Sequence, residues 1–482
     1  MFNFWDSGVW SFLLTLAILL AAMLLANLMR RYIPFLRKLM IPSALLGGFL
    51  VLIADVIYKS IAGVSMFNDL TLEYLTYHGL GLGFVALALK SSGDKKEKKK
   101  RNGEIMDSGL SVVGAYLIQG IVGLAVTLGL SFVIANIFPA SGLILPMGYG
   151  QGPGQAFNWG QIYENLGFTN GASFGLTIAA MGFITASIGG CVYFAGMRKR
   201  GKLVVGGSHE NAEDCKDESV SPKDEIPMSE SMDKMTVQVA FVVISYIIAF
   251  GIMYGLYRLF VAIDPDPTKF LLKTVNPLIW GFNFLVGTAV AMGVKAILNA
   301  LYRKGVMKRK YTNDFMLSRI GGFCFDFMVV ASIAAIKLEA FTYPEFIIPL
   351  SILCIVGGVV TYFYLKTVSK KVFPNYPDEQ FLALFGNCTG TASTGVILTR
   401  EVDPEFRTPA ASNLVYLPLY AIVFGFPMFL LLGVAPDPIG GNPNGMAWLT
   451  LGILIVLFVV INLILFRKSI FHKTYKQDKK EE

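Results

Sequence analysis

Leu143-Ile144-Leu145-Pro146-Met147-Gly148-Tyr149-Gly150-Gln151-Gly152-Pro153-Gly154-Gln155 is apolar enough to enter a membrane and too rich in glycine and proline to cross one as a helix. Around it the sequence is built from long apolar runs. Of the 482 residues, 54% are apolar and 15% are charged, where a soluble domain carries roughly 25% charged residues. Runs of this length are too continuously apolar for the alternating strands of a barrel, so helices must satisfy the backbone in lipid. We place spans near 9–29, 41–58, 74–89, 110–137, 172–196, 237–262, 276–301, 320–336, 344–366, 412–433 and 446–466. The expected fold is an all-α integral membrane protein.

The charge between the spans orients them. Basic residues crowd every second connection: Arg30, Arg31, Arg37 and Lys38 after the first span, Lys95 to Arg101 after the third, Arg198 to Lys202 after the fifth. The pattern continues with Arg303 to Lys310, then Lys370 and Lys371, then Arg467, Lys468 and Lys473. The intervening connections are poor in them, the one after the sixth span, with Arg258, Lys269 and Lys273, carrying most. This places the N-terminus outside and the C-terminus in the cytoplasm. The net charge of +8 is thus spread along loops and forms no patch on a domain, so nucleic acid is not an expected partner. The first apolar run has no basic segment before it and no cleavage site, and reads as a retained helix.

The opening stretch belongs to a region, 139–171, that fits neither a span nor a wet loop. A second such region, 373–411, holds Gly386-Asn387-Cys388-Thr389-Gly390-Thr391-Ala392-Ser393-Thr394-Gly395 after Phe381-Leu382-Ala383-Leu384-Phe385. Both read as re-entrant segments, the first dipping in from outside and the second from the cytoplasm. Each falls between the fourth and fifth span of a set of five. Five is odd, so the second set is inserted upside down, the inverted-repeat signature of secondary transporters. The third span of each set reads as the shortest and carries glycines: Gly79, Gly81 and Gly83 in one, Gly321 and Gly322 in the other. The chain thus divides into a first repeat (1–202), a disordered cytoplasmic linker (203–235), a second, inverted repeat (236–434), and an extra helix with a basic tail (435–482).

Broken backbone inside a membrane offers carbonyls to a cation and N–H groups to an anion. The candidate substrate-binding residues are Gln151, Gly152, Gly154, Asn387, Cys388, Thr389 and Gly390. For a hard cation such as sodium the candidates are Gly150, Thr391, Ser393 and Thr394, with Asp326, a carboxylate inside the eighth span. Against each stands a plainer reading. Small residues also pack helices closely, and Asp326 can be a structural partner of Arg319. Arg400 and Arg407 can meet a substrate carboxylate or simply mark a membrane edge. No cofactor is expected. The run from Gly196 to Lys202 imitates a phosphate loop, but Leu203 stands where Ser or Thr is needed. His78, His209 and His472 are too scattered for a metal enzyme, and the five cysteines show no paired motif.

These residues resemble the bacterial sodium/glutamate symporter family, as a divergent member. The likeness lies in Ile41-Pro42 leading to Gly47-Gly48, the glycine run 148–156, Gly167-Phe168-Thr169-Asn170, Gly189-Gly190, and Gly386-Asn387-Cys388 with the small residues after it. It extends over most of residues 10–433. The resemblance implies two inverted five-helix repeats with hairpins entering from opposite faces. It also implies import of glutamate with sodium as coupling ion, a homodimer, and a place in the bacterial inner membrane. The sequence departs from the family pattern in having Gln151 and Asn387 where histidine is frequent, and in the Arg400-Glu401 pair. Three other readings stay open at this point: a carrier of a different organic anion coupled to sodium or protons, a channel, and a non-transporting structural or sensory subunit.

Overall fold

A computed structural model describes residues 7–90, 95–200, 231–307, 311–404, 407–439 and 441–467. The expected linker falls mostly outside these residues, apart from Ser231 onward, which already belongs to a helix. Helices long and apolar enough to span are α1 (Ser7–Tyr32), α2 (Ser43–Ala62), α3 (Asp69–Leu89) and α4 (Lys95–Leu130). After α5 (Pro153–Asn165), which is short and buried, come α6 (Gly171–Lys199), α7 (Ser231–Ile263), α8 (Asn283–Arg303), α9 (Asp314–Ala334) and α10 (Pro344–Val372). Two short helices, α11 (Pro377–Thr389) and α12 (Ala392–Arg400), precede α13 (Ala410–Val434) and α14 (Gly445–Leu465). Among the described residues this gives ten straight spans, and eleven with α13, which bends by 51° at Pro418. The proline there supplies no N–H and its ring displaces the preceding turn.

Four expected spans are corrected. The third and eighth spans are not short: α3 and α9 each have 21 residues, against 20 in α2. Their first two turns carry Asp69 and Glu73, or Asp314 and Arg319, so hydropathy alone starts them too late. Both begin alike. Asn68 accepts a hydrogen bond from the Leu70 amide at 3.0 Å and Asn313 from the Met316 amide at 2.9 Å, each followed by an aspartate in the first turn. The fourth span ends at Leu130, short of the expected 137. The seventh span is broken: a π turn Leu271–Val275 and a short helix Asn276–Gly281 precede α8. At Phe282 (φ −102°, ψ 32°) the Leu285 amide turns to the Phe282 carbonyl at 2.8 Å.

The helices pack as two bundles. In the first, α3 lies along α9, α2 packs on α9, α8 on α3, α1 on α2, and α7 on α8. The glycines of α3 serve this packing. A Cβ at Gly83 would overlap the Phe325 ring, at Gly79 the Met328 side chain, and at Gly81 the Tyr246 ring. In the second bundle α4 is central, touching α10, α13 and α14, and it carries the two broken segments between itself, α6 and α10.

Candidate functional site

Both glycine-rich segments are helical hairpins buried within the second bundle. The first descends through a 3₁₀ turn (Pro139–Leu143), a single turn at Ile144–Pro146 and a π turn (Met147–Gln151). It reverses at Gly152 and returns as α5. Gly152 has φ +83° and ψ −176°, a region open essentially to glycine alone. Pro153 then starts α5, where its missing N–H costs nothing. From Ala140 to Gly160 every residue except Gln151 is buried. The second hairpin descends as α11, reverses at Gly390 and returns as α12, with Thr391 as its N-cap.

The two reversals meet. A Cβ placed on Gly152 would stand 3.7 Å from Thr391 Cγ2 and 3.9 Å from the Gly390 carbonyl oxygen. Two helix N-termini, those of α5 and α12, therefore start at one point and turn their positive dipole ends to it, the Thr394 amide being already capped by Thr391 Oγ1 at 3.4 Å. The descending arms end at the same point and bring carbonyls. The Gly150 carbonyl accepts from Tyr116 Oη at 2.8 Å, and the Cys388 carbonyl from Gln119 Nε2 at 2.9 Å. Gln119 Nε2 also reaches Thr361 Oγ1 at 2.9 Å, so one amide on α4 ties hairpin 2 to α10. Gln119 is fully buried, and its own Oε1 has no protein partner. Hydroxyls complete the set: Thr391 Oγ1 lies 3.3 Å from Thr394 Oγ1, while the Thr389 hydroxyl donates back to the Phe385 carbonyl at 2.6 Å.

Of the residues expected from sequence, Gly150, Gln151, Gly152, Asn387, Cys388, Thr389, Gly390, Thr391, Ser393 and Thr394 all sit on the two hairpins at or beside the reversals. Gly154 packs instead on the first bundle, where a Cβ would meet Leu80 and Met328 Sδ, each at 2.9 Å. Asp326 is not at the reversals. Met328 faces hairpin 1, and two residues along a helix is about 200° around its axis. Asp326 accordingly shares an exposed face of α9 with Phe315, Arg319 and Phe323, Arg319 lying over the Phe315 ring at 5.0 Å. Arg400 is exposed at the end of α12. Arg407 gives its backbone amide to Asp403 Oδ1 at 2.8 Å, within a turn where Thr408 serves Oδ2. Burial raises the Asp403 carboxyl, and these hydrogen bonds outweigh it and hold it below the usual carboxylate range.

Sequence reading missed Tyr116, Gln119 and Thr361. The available signal was a glutamine and a threonine inside otherwise apolar spans, which a hydropathy scan averages away.

The hairpins differ in how they meet the first bundle. Hairpin 1 is docked on it: α5 packs on α3, α9 and the short helix before α8. On the face bearing the loops after α2, α7, α9 and α13, further contacts join the bundles. The Lys337 amide donates to Ser173 Oγ at 3.1 Å, and Lys273 pairs with Asp437. Glu73, Glu164, Asn170, Ser173 and Lys337 line a small polar cavity there. Hairpin 2 packs on α6, α10, α13 and α4, and its tip residues Ala392 and Ser393 are exposed.

A family model described as sodium/glutamate symporter matches residues 10–263, more than half the chain. The chain belongs to the sodium/glutamate symporter family. The matched region runs from α1 to the end of α7 and contains hairpin 1, and the second hairpin lies beyond it. A comparison with curated proteins returned no match. Membership in a symporter family and the ten apolar helices among the described residues make this a multi-pass membrane protein of a transporter family.

Proposed function

We propose that this chain is a sodium-coupled symporter of glutamate or a similar small carboxylate, working by alternating access. The observation that carries the reading is the meeting of two broken segments at Gly152 and Gly390-Thr391. There the N-termini of α5 and α12 favour a carboxylate. The oxygens of Gly150, Thr391, Ser393 and Thr394 suit a sodium ion, a hard cation that prefers oxygen. Binding of either charge lowers the cost of bringing the other to the same buried point, which is the physical content of coupling.

The packing supports two inverted repeats, α1–α6 with hairpin 1 and α7–α13 with hairpin 2, α14 being extra. Contacts come in matched pairs: α1 on α2 as α7 on α8, α2 on α9 as α8 on α3. The third spans pack on each other, and both start at an Asn-Asp cap. In this reading the first bundle is a scaffold, contributes the surface of a homodimer in a bacterial inner membrane, and stays fixed while the second bundle moves. The loop charges set the C-terminus in the cytoplasm. With hairpin 1 docked and the hairpin 2 tip exposed, the arrangement is the inward-facing one.

Two measurements test this. Purified protein in proteoliposomes is expected to take up labelled L-glutamate with an inward sodium gradient and not with potassium. Equal uptake in both would remove sodium coupling, and no uptake of glutamate, aspartate or citrate would remove the substrate class. For sidedness, Ser393→Cys is expected to react with a membrane-impermeant maleimide in inside-out vesicles and to stay unlabelled in right-side-out ones. Thr394→Cys, at 1% exposure, is expected to react in neither. Labelling of Ser393→Cys from outside alone would reverse the assignment of the open side.

A further inference from the structure

Three carboxamide oxygens stand without a protein partner at the junction of hairpin 1 and the first bundle: Gln155 Oε1, Asn158 Oδ1 and Asn283 Oδ1. Their residues are 1%, 4% and 0% exposed, so bulk water does not reach them. The amide nitrogens are already committed. Gln155 Nε2 and Asn158 Nδ2 both donate to the Gly281 carbonyl, at 3.1 and 2.8 Å, and Asn283 Nδ2 donates to Tyr246 Oη at 2.9 Å. Turning either hairpin amide over would set its oxygen against the Gly281 oxygen, acceptor on acceptor. The orientation of these two groups is therefore fixed by the carbonyl they share.

The backbone creates this arrangement. A continuous helix would give the Gly281 carbonyl to the Leu285 amide, but at the Phe282 break that amide goes to Phe282. Gly281 is left to serve hairpin 1. Gln155 and Asn158 are three residues apart on α5 and so share a face, and Asn283 follows Gly281 by two residues. The three residues thus flank one break in the seventh span, two facing it from hairpin 1 and one beginning the helix that follows it. Leaving one acceptor buried and unsatisfied is costly, and three on residues that flank one break call for a donor or a cation there.

We propose that Gln155, Asn158 and Asn283 form a cation subsite that holds sodium or the ammonium group of the substrate while hairpin 1 is docked. This deepens the symport reading and rests on it. The chemistry selects a cation because the free atom of each of these three residues is an oxygen acceptor, and they outnumber the one neighbouring donor without a partner, the Trp159 indole N–H. It selects a monovalent one because no carboxylate belongs to the set, and a divalent charge would remain uncompensated in a buried place. Two of the ligands ride on hairpin 1 and one on the first bundle, so the cation bridges the parts whose relative movement would carry substrate across. Occupancy would favour the docked state, and undocking would release the ion.

The test is ligand binding to purified full-length protein in detergent, read by thermal unfolding and by the fluorescence of Trp159. That indole follows Asn158 directly and lies 5.6 Å from the Phe282 ring. Sodium chloride, potassium chloride, and potassium chloride with either L-glutamate or methylammonium are the probes. A response to sodium alone identifies the ion as the occupant. A response to glutamate and methylammonium in potassium identifies the ammonium group. In either case Asn158→Leu and Asn283→Leu are expected to raise the half-saturating concentration about tenfold or more, the effect of losing a hydrogen-bond acceptor to a charge. Asn283→Asp is expected to lower it, since the Tyr246 hydroxyl can rotate to donate to the new carboxylate, and this variant keeps the test valid if a leucine variant fails to fold. Unchanged half-saturation in the variants that fold would overturn the subsite and leave the symport reading intact, with ordinary internal water filling the place. A parent protein that responds to no probe would overturn both.

Discussion

Gly152→Ala is expected to lower sodium-driven uptake by about tenfold or more while the protein still folds and purifies. The reason is conformational. At φ +83° and ψ −176° a residue with a Cβ is strained by about 1–3 kcal/mol. There is no clash to confuse the result, because the added methyl would lie 3.7 Å from Thr391 Cγ2, an ordinary contact. The chain can relieve the strain only by turning the peptide between Gln151 and Pro153. That moves the start of α5 away from the start of α12 and pulls apart the N–H groups that would hold a carboxylate. Distances of a few tenths of an ångström suffice, since charge-assisted hydrogen bonds weaken steeply when bent. Gly390→Ala gives a useful contrast. Its φ is negative, −147°, and a Cβ would meet Thr394 Oγ1 at 3.0 Å and Phe183 Cδ1 at 3.2 Å. Its expected loss is smaller and steric. Initial uptake rates for both variants, with thermal unfolding midpoints alongside, decide the matter. Wild-type uptake by Gly152→Ala would mean that the reversal at this residue is not part of the transport site.

The two hairpins were legible in the sequence because clustered glycine, beside proline in one and small hydroxyl residues in the other, breaks a helix, and an apolar flank marks the break as one the fold buries. That needs only local chemistry. The break at Phe282 was not legible. Trp280-Gly281-Phe282 sits in an apolar run whose lone glycine marks no break by itself, as Gly79, Gly81 and Gly83 in the unbroken α3 show, and the break is met by Gln155 and Asn158 arriving from a hairpin more than a hundred residues earlier. The late starts assigned to α3 and α9 have the opposite cause. Their polar first turns are favoured by the helix dipole and by the Asn68 and Asn313 caps, terms that hydropathy does not contain. Asp326 shows the limit of a composition rule. A carboxylate in a span is by default a functional candidate, but helix phase turns this one away from the hairpins, and phase depends on which side of α9 packs on α3. Gln119 shows the converse, a neutral side chain overlooked because one glutamine scarcely alters the hydropathy of α4, yet it braces hairpin 2 at the Cys388 carbonyl.

Gly123→Ala in α4 is expected to destabilise the protein by about 1–3 kcal/mol or more, the cost of overpacking a filled core. The expected effect is large because backbone meets backbone. A Cβ on Gly123 would overlap the carbonyl group of Gly142, at the entry to hairpin 1, and a Cβ on Gly142 would overlap that of Gly123. No flexible side chain stands between them to give way. The contact is also tied down, since Thr127 Oγ1 on the same helix donates to the Pro139 carbonyl at 2.5 Å. Gly129→Ala, two turns along the same helix with open space at its Cβ, is the control. It is expected to be neutral or to stabilise by up to about 1 kcal/mol through helix propensity. Thermal unfolding in detergent compares the two, and equal midpoints for Gly123→Ala and Gly129→Ala would mean that the seam yields. The outcome bears on transport as well as stability. On its other side hairpin 1 meets α6 in the same way, Gly160 against Gly171 and Gly175 against Ala156, backbone on backbone. A hairpin held between α4 and α6 by such seams is expected to move with both. In the alternating access proposed above, the movement would then fall at the surface where hairpin 1 meets α3, α9 and Gly281, a surface that includes hydrogen bonds able to part and re-form.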